Sequence, residues 1–390
     1  LNVKIQENGS VIIKNKKENI EKKGFLIFEN SGDDGDTYDY SEPYNDRILT
    51  SENSEIKILK LEKNSLLNEI KYIVKMSIPY DLKAREKGEN DIETEFIVTL
   101  SLEKGSPLLK VDAETENKSI EHRIRVLFKT EVESTESIAD QQFGTIRRPV
   151  CLSEVENWRE NGWNEKPRTI EPMQSFVSLA NKYENESIIT DCVREYQITG
   201  EKYDTIALTL FRSIPKMGKS ELKDRPGRAS GMADWETPDA QLLKKLKFNF
   251  AVLIGKGEYS ASKIANMAKE YLTPLQCYQA AEFKNVDIFF LMNKPEIQNT
   301  PFDYSMLSFE SRDCVLSTVK KAEKENYLIV RIYNPDDKNP VDFDMTYNGN
   351  AVGMSIVKFD EETIMENIDF NFAENMENKK SRIKISGVKT

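Results

Sequence analysis

The chain has 390 residues, of which 38% are hydrophobic and 31% are charged, and its formal net charge is -11 at pH 7. This length suffices for two or three domains, and the composition is typical of a soluble globular protein. An excess of acidic groups gives no electrostatic attraction to nucleic-acid phosphates or to anionic membrane surfaces. We therefore expect neither a nucleic acid nor a membrane as a partner.

Histidine and cysteine usage narrows the possible chemistry. The single histidine, His122, would have to serve any zinc site or Ser–His–Asp triad, and a lone histidine beside a strand is more often structural than catalytic. We expect no catalytic residue and no metal ligand in the chain. The cysteines lie far apart with no C-x-x-C pair, which favours reduced thiols and a cytoplasmic location; they are Cys151, Cys192, Cys277 and Cys314.

The chain shows neither a membrane-spanning nor a signal-peptide pattern. No stretch approaches the roughly 20 apolar residues that cross a bilayer, and no apolar run follows a basic start. The first residue is Leu1 rather than methionine, so the chain is interpreted as a fragment or a processed piece.

Period-two alternation of apolar residues is the dominant pattern, and it predicts β-strands because alternate side chains of a strand face opposite ways. Alternating segments lie at residues 70–80, 94–102, 109–113, 124–128 and 206–210. A turn at residues 103–107 separates two of them and predicts a β-hairpin. Many long strands with few helices between them favour a mainly β chain containing a large antiparallel sandwich.

One helix is predicted over residues 260–272, where Ile264, Met267, Ala268 and Tyr271 fall on one helical face. We interpret it as a divider, with a large β-sandwich at 1–255, a helical connector at 256–275 and a smaller β domain at 276–390. Strands of the smaller domain are predicted at residues 288–292, 327–333, 352–357 and 383–388.

The loop at residues 31–40 has closely spaced aspartates and glycines. An EF-hand calcium loop needs an acidic residue at its twelfth position, and counting from Asp33 places Tyr44 there. Three interpretations stay open: a metal site, a tight turn in which Asp side chains accept backbone N–H groups, and a surface that contacts sugar hydroxyls.

Two further loops combine polar and charged groups. Residues 140–149 (DQQFGTIRRP) contain amide, aromatic and arginine side chains, which suit a polyol or an anionic sugar but equally a solvated surface loop. Residues 221–231 are basic within an acidic chain, and their arginines could bind carboxylates or diols, or form structural ion pairs.

Taken in order, several segments resemble the C-terminal half of family 38 glycoside hydrolases, that is, α-mannosidases and mannosylglycerate hydrolases. The resemblance starts with FENSGDDGDTYDY at residues 28–40 and continues with EHRIRVLF at residues 121–128. It then follows residues 140–149, 210–213, 225–228, 237–241, 320–323 and 329–335. Together these segments cover nearly the whole chain.

The resemblance implies a sandwich similar to galactose mutarotase, followed by a smaller β-sandwich. It also implies a parent enzyme whose zinc ligands and catalytic groups lie in an N-terminal domain absent here, so no cofactor is expected in this chain. The substrate would be an α-mannoside or a mannosyl derivative. Loops of the β region would complete the rim of the active site, and the substrate-binding residues so implied are Gln142, Phe143, Arg225 and Arg228.

Other functions remain open from the residues. A standalone carbohydrate-binding or structural module would need no upstream catalytic domain. A mutarotase-like sugar epimerase would use the sandwich itself, although such enzymes usually need more histidines than His122. Expected partners are carbohydrate and the chain's own catalytic domain, and a homodimer is plausible from the family.

Overall fold

The computed structural model describes residues 1–227, 233–277, 303–309, 313–336, 338–349, 353–367, 371–373 and 380–388. By its internal contacts the chain divides into two compact units, Leu1–Ser260 and Ala261–Thr390. The three predicted domain ranges stay a prediction.

The first unit consists almost entirely of β-strands. Its strands are β1 (Asn2–Ile5), β2 (Val11–Asn15), β3 (Ile20–Gly32), β4 (Leu49–Thr50), β5 (Ile56–Lys63), β6 (Leu67–Ile78), β7 (Ile92–Glu103), β8 (Leu109–Glu116), β9 (His122–Lys129), β10 (Glu136–Gln141), β11 (Gly144–Pro149), β12 (Ile170–Pro172), β13 (Phe176–Ala180), β14 (Glu184–Thr190), β15 (Glu195–Thr199), β16 (Thr205–Ser213) and β17 (Lys245–Lys256). One short helix, α1 (Leu82–Lys87), follows β6, and 3-10 turns lie at Ser51–Asn53, Ser153–Val155 and Pro238–Gln241.

These strands form two antiparallel sheets. Sheet A has the order β1-β2-β3-β9-β16-β15-β12, with β4 paired to β3. Sheet B has the order β11-β10-β13-β14-β17-β8-β7-β6-β5. Non-consecutive neighbours such as β3 and β9 show that the chain crosses repeatedly between the sheets, which brings residues distant in sequence onto one face.

The core lies between sheets A and B. The ring of Phe28 on β3 stacks on that of Phe96 on β7 at a centroid distance of 4.0 Å. Phe128 on β9 contacts Phe250 on β17 edge to face at 5.8 Å. Because each pair joins one sheet to the other, the aromatic side chains fix the sheets in a sandwich.

The predicted strands of this unit are confirmed. The alternating segment at 70–80 forms β6, in which Tyr72, Val74 and Met76 are buried. The segments at 94–102 and 109–113 form β7 and β8, joined by the predicted turn, in which Gly105 has a φ of 82°. A positive φ is easily adopted by glycine, so this residue sets the reversal of direction.

The second unit begins with a helix and continues with strands. The helix is α2 (Ala261–Leu272), and the strands are β18 (Leu307–Phe309), β19 (Val315–Lys321), β20 (Leu328–Tyr333), β21 (Val341–Asn348), β22 (Ser355–Val357), β23 (Ile364–Asn367), β24 (Asn371–Ala373) and β25 (Lys380–Val388). The predicted helix is confirmed as α2, and three of the four predicted strands correspond to β20, β22 and β25. The fourth, at 288–292, lies outside the described residues.

A small core holds the second unit together. β18, β21, β25 and β24 form one sheet in that order, and the rings of Phe309 and Phe343 lie 5.2 Å apart. Asn266 of α2 donates a hydrogen bond to the carbonyl of Cys314 at 3.1 Å, which attaches the helix to the start of β19. The predicted fold class, mainly β with a large antiparallel sandwich before a smaller β unit, is therefore confirmed.

Neither α1 nor α2, the helices of the described residues, is long and apolar enough to cross a membrane.

Candidate functional site

Charged side chains cover the outward face of sheet A. On β9, Ile124, Val126 and Phe128 point into the sandwich, whereas Arg123 and Arg125 alternate with them and point outward. Both arginines are nevertheless buried. Buried guanidinium groups need partners, and these lie on the outward face of β3, β9, β16, β15 and β12, which is here called the polar face.

Arg125 connects three strands of the polar face. Its Nε donates to Oε1 of Glu29 on β3 at 2.6 Å, and its Nη1 donates to Oε1 of Gln197 on β15 at 2.7 Å. Such charge-assisted bonds fix the guanidinium in one orientation. Arg125 therefore has a structural role in holding the face flat and ordered.

Arg123 lies under an aromatic ring. Its guanidinium carbon is 3.5 Å from the ring centroid of Tyr40, and its Nε donates to Oγ of Ser31 at 3.3 Å. Burial, together with the neighbouring positive charge of Arg125, lowers the pKa of Arg123 to about 10. The stacked Tyr40 is what brings the acidic loop of residues 31–40 onto the polar face.

Within that loop, Asp33 is bound by its own backbone and by an arginine. Its Oδ1 accepts the N–H of Gly35 at 3.0 Å, and Nε of Arg212 on β16 donates to its Oδ2 at 2.7 Å. Nη2 of Arg212 also donates to the carbonyl of Asp39 at 2.7 Å. A Cβ on Gly35 would lie 2.0 Å from that carbonyl, so only glycine fits this position.

Asp36 is held in the same way. Its Oδ1 accepts the N–H groups of Tyr38 and Asp39, at 3.0 and 2.9 Å, while its Oδ2 accepts the N–H of Lys219 at 3.0 Å and a bond from Arg225. Burial disfavours the charged carboxylate, but these backbone donors outweigh burial and lower the pKa of Asp36. Asp36 is therefore ionised, and it connects the acidic loop to the distant segment that contains Lys219 and Arg225.

These contacts support one of the three interpretations of the acidic loop. The oxygens of Asp33 and Asp36 accept hydrogen bonds from backbone N–H groups and arginines, as expected for a tight turn. Among the described residues, no group of three His, Cys, Asp or Glu side chains is placed to hold a metal ion. The loop thus acts as a structural clamp on the polar face.

A groove of about 360 Å³ lies at the other end of the polar face. It is formed where β12, the segment before β15, and β16 meet, and its polar lining residues are Glu171, Cys192, Arg194, Glu195 and Thr209. Aliphatic side chains form the remaining wall. Polar groups that converge in an apolar groove are a common arrangement for a small-molecule site.

The charges of the groove are partly balanced within the protein. Nε of Arg148 is 3.0 Å from Oε2 of Glu171, and Arg194 donates to the carbonyl of Gln174. Burial raises the pKa of Glu171, and burial also raises the pKa of the Cys192 thiol, which keeps that thiol neutral. Carboxylate, guanidinium and hydroxyl groups are therefore available on a rigid strand framework.

His122 is part of a buried hydrogen-bond chain. Its Nδ1 lies 2.8 Å from Nδ2 of Asn30, and its Nε2 lies 2.9 Å from Oδ1 of Asn117. The amide N–H of Asn30 donates to Nδ1 and the amide oxygen of Asn117 accepts from Nε2, so the proton lies on Nε2. Burial and the nearby positive charge of Arg85 lower the pKa of His122 to about 3. Both ring nitrogens of a neutral imidazole are thus engaged, which agrees with the structural role predicted from the sequence.

The predicted residues Gln142 and Phe143 lie at the tip of the β10–β11 hairpin in sheet B. Both side chains are exposed, and Phe143 has a φ of 60°. At the base of the hairpin, the carbonyl of Asp140 accepts the N–H of Gln174, whose own carbonyl binds the groove residue Arg194. The hairpin is thereby attached to the groove, while substrate binding by Gln142 and Phe143 stays a prediction.

The other predicted pair follows β16. Arg225 is 1% exposed and forms ion pairs with Asp36 and Asp39, the latter with 3.1 Å between Nε and Oδ2. Its guanidinium fixes the acidic loop, and a contact with substrate stays a prediction. Arg228 lies outside the described residues.

Sequence reasoning missed the groove residues Glu171, Arg194, Glu195 and Thr209. They come from three separate segments, and each looks like an ordinary surface residue. A usable signal was the alternation on β15, where Glu195 and Gln197 face outward while Tyr196 and Ile198 are buried.

Two family models match the chain. The model of the glycosyl hydrolases family 38 C-terminal domain matches residues 1–216. The chain belongs to glycoside hydrolase family 38. The model of the family 38 C-terminal beta sandwich domain also matches residues 313–387, so each of the two units contains a segment characteristic of family 38.

Similar proteins are longer than this chain. A predicted mannosylglycerate hydrolase from Halalkalibacterium halodurans is 26% identical over 354 residues, which are 86% of this chain and 35% of that protein. The structure of an alpha-mannosidase from Enterococcus faecalis V583 aligns with a TM-score of 0.77 and 21% identity over 94% of this chain and 39% of its own. A family 38 glycosyl hydrolase from Enterococcus faecalis aligns with a TM-score of 0.75 and 20% identity over 98% and 42%. The matching parts of these two structures have the same fold as this chain.

Proposed function

We propose that this chain is the non-catalytic C-terminal part of an α-mannosidase-type glycoside hydrolase that retains anomeric configuration and depends on zinc. The observation that carries the proposal is that both matching family models describe C-terminal domains. In addition, the chain spans only 35% to 42% of the length of its relatives. The reaction would then belong to a longer polypeptide, for which this chain is the scaffold.

In this proposal the groups that such a reaction needs belong to the longer polypeptide. Retaining glycosidases use two carboxyl groups about 5 Å apart, and the zinc expected from the family needs several His, Cys or carboxylate ligands. His122 is fully engaged with Asn30 and Asn117, and the described part of the chain has no three-ligand cluster. The residues present do not fit a zinc ion, so we assign no catalytic step to them.

In this proposal the chain shapes the carbohydrate site. Arg212 and Arg225 hold the acidic loop, and Tyr40 of that loop is stacked on Arg123. These contacts hold the loop in one conformation at the edge of the polar face. Gln142, Phe143, Arg225 and Arg228 remain the proposed rim residues for an α-mannoside or a mannosyl derivative.

The test compares hydrolysis of an aryl α-mannoside by this chain and by the longer polypeptide that contains it, each with and without added zinc. We expect turnover and stoichiometric zinc only in the longer polypeptide. Turnover by this chain alone, above a heat-treated control, would refute the non-catalytic role. Absence of turnover from both would refute the α-mannosidase proposal and favour a standalone binding module.

A further inference from the structure

The groove on the polar face has the size and walls of a site for one sugar ring. Its volume of about 360 Å³ is near the lower limit of small-molecule sites, roughly 300 Å³. Ile170 and Pro172 of β12 supply apolar surface, and Thr209 supplies a hydroxyl. An extended oligosaccharide would exceed this volume, whereas a single ring with its C–H face against the aliphatic wall fits it.

Glu195 provides an acceptor that the protein leaves unused. Its side chain lines the groove and is half-buried, and its Oε1 has no hydrogen-bond donor among the described residues. An acceptor in this state costs free energy until a donor reaches it. The terminal torsion of glutamate is broad, so a small rotation can turn this oxygen towards a ligand hydroxyl.

The charges around the groove select the ligand class. Glu171, Glu195 and Arg194 line the groove, and Arg148 pairs with Glu171, so these groups carry no excess of either charge that would favour an anion or a cation. A hydroxyl group can donate to the carboxylate of Glu195 and also accept from an arginine N–H. A neutral polyhydroxylated ring is therefore the class that satisfies all of these groups.

We propose that the groove between β12, β15 and β16 binds one neutral sugar ring, with Glu195 accepting a ring hydroxyl and Thr209 contacting the ring from the floor. This site belongs to the β-sandwich itself and requires no catalytic domain. It would give the scaffold its own affinity for glycans, beyond completing the rim of the reaction site. Only the choice of a mannoside as the first probe rests on the proposed function.

Cys192 makes the occupancy of the groove measurable. Cys192 lines the groove and is an exposed residue, whereas Cys151 is exposed elsewhere in the same unit and serves as an internal control. The chain is treated with iodoacetamide at increasing concentrations of methyl α-mannoside or methyl α-glucoside, and alkylation of each cysteine is followed by peptide mass spectrometry. We expect saturable protection of Cys192, with no protection of Cys151.

Variants test the named contacts. Glu195→Ala should raise the half-protecting sugar concentration about tenfold or more, because a hydrogen bond to a charged group is lost. Glu114→Ala on the opposite sheet, which removes an exposed carboxylate paired with Lys247, should leave that concentration unchanged. Thr209→Val keeps the shape of the floor and removes a hydroxyl, so a second loss is expected. The thermal unfolding midpoint verifies that each variant is folded.

Several results would overturn the inference. One is alkylation of Cys192 at the same rate with and without either sugar, at every sugar concentration. Another is an unchanged half-protecting concentration in folded Glu195→Ala, and a third is stronger protection by a sugar phosphate than by the neutral sugar. Protection by the glucoside alone would retain the groove as a sugar site but remove its link to mannose. Because no hydrolysis is measured, these results are independent of the aryl α-mannoside test.

Discussion

A buried ion pair joins the two sheets of the first unit and offers a sharp test of its energetics. Nζ of Lys22 on β3 lies 2.9 Å from Oε1 of Glu186 and 3.0 Å from Oε2 of Glu184, both on β14, and donates to the carbonyl of Thr130 at 2.6 Å. Lys22 is 4% exposed and Glu186 is fully buried. We predict that Lys22→Met destabilises the unit by about 3–5 kcal/mol at pH 9, where Glu186 ionises in the unmodified chain, because the variant leaves this buried carboxylate without its cation.

The same cluster predicts how stability depends on pH. Burial raises the pKa of Glu186 from 4.5 to about 8, in spite of the opposing charge of Lys22. Its folded pKa therefore lies above its unfolded pKa, so the folded state holds a proton that the unfolded state releases. The stabilisation is complete below pH 4.5 and is lost as pH rises to about 8. At 1.36 kcal/mol per unit, this 3.5-unit window amounts to roughly 5 kcal/mol.

Two variants separate these effects. Glu186→Gln keeps the shape of the neutral acid, so the loss of stability between pH 5 and pH 8 should become shallower. Lys22→Met removes the charge that lowers the pKa of Glu186, so the stability of this variant should continue to fall above pH 8. Lys14→Met is the matched control, because the Lys14–Glu21 pair is 45% and 40% exposed and such pairs contribute at most about 1 kcal/mol.

The assay is urea unfolding followed by tryptophan fluorescence at several pH values. All three tryptophans, Trp158, Trp163 and Trp235, lie in the first unit, so the signal reports on that unit within the whole chain. A Lys22→Met variant as stable as the Lys14→Met control would show that the buried pair has no net effect. An unchanged pH slope in Glu186→Gln would assign the pH dependence to other groups.

Three further predictions concern the core, the acidic loop and the rim. Phe250→Ala should cost about 3–5 kcal/mol in the same urea assay, since it opens a cavity beside Phe128, whereas exposed Phe143→Ala should change stability little. Arg212→Met should increase amide hydrogen exchange across the acidic loop without unfolding the sandwich, because Asp33 loses its cation. In the longer enzyme, Arg228→Ala should lower kcat/KM for an aryl α-mannoside at unchanged fold; an unchanged kcat/KM would remove Arg228 from the rim.

The strands and the helix were predictable where burial imposes a strict period. In β6, Tyr72, Val74 and Met76 alternate with polar residues because only one face contacts the core. In α2, Ile264 and Ala268 recur at the helical period for the same reason. A three-residue strand such as β12 is too short to show a period, and so the sequence did not reveal it.

Buried charges were the part of the site that period alone could not predict. Arg123 and Arg125 occupy outward positions of β9, which an isolated strand would expose to water. Their burial depends on β3 and on the loop that follows it, far earlier in the sequence, since Glu29 on β3 binds Arg125 and Tyr40 in the loop covers Arg123. Such pairings depend on the order of strands in sheet A, and local periodicity in the sequence does not reveal that order.

The acidic loop and the groove differ in how the charged groups of the polar face are paired. Asp33 and Asp36 are matched by Arg212, Arg225 and backbone donors, so the loop is ordered without a ligand. Among the residues that the structure describes, none donates a hydrogen bond to Oε1 of Glu195 on β15. A buried acceptor left in this state is destabilising, and in a family of carbohydrate-active enzymes a hydroxyl-bearing ligand is the partner that would offset its cost. The acidic loop therefore maintains the polar face, and the groove is the part of it that remains available for binding.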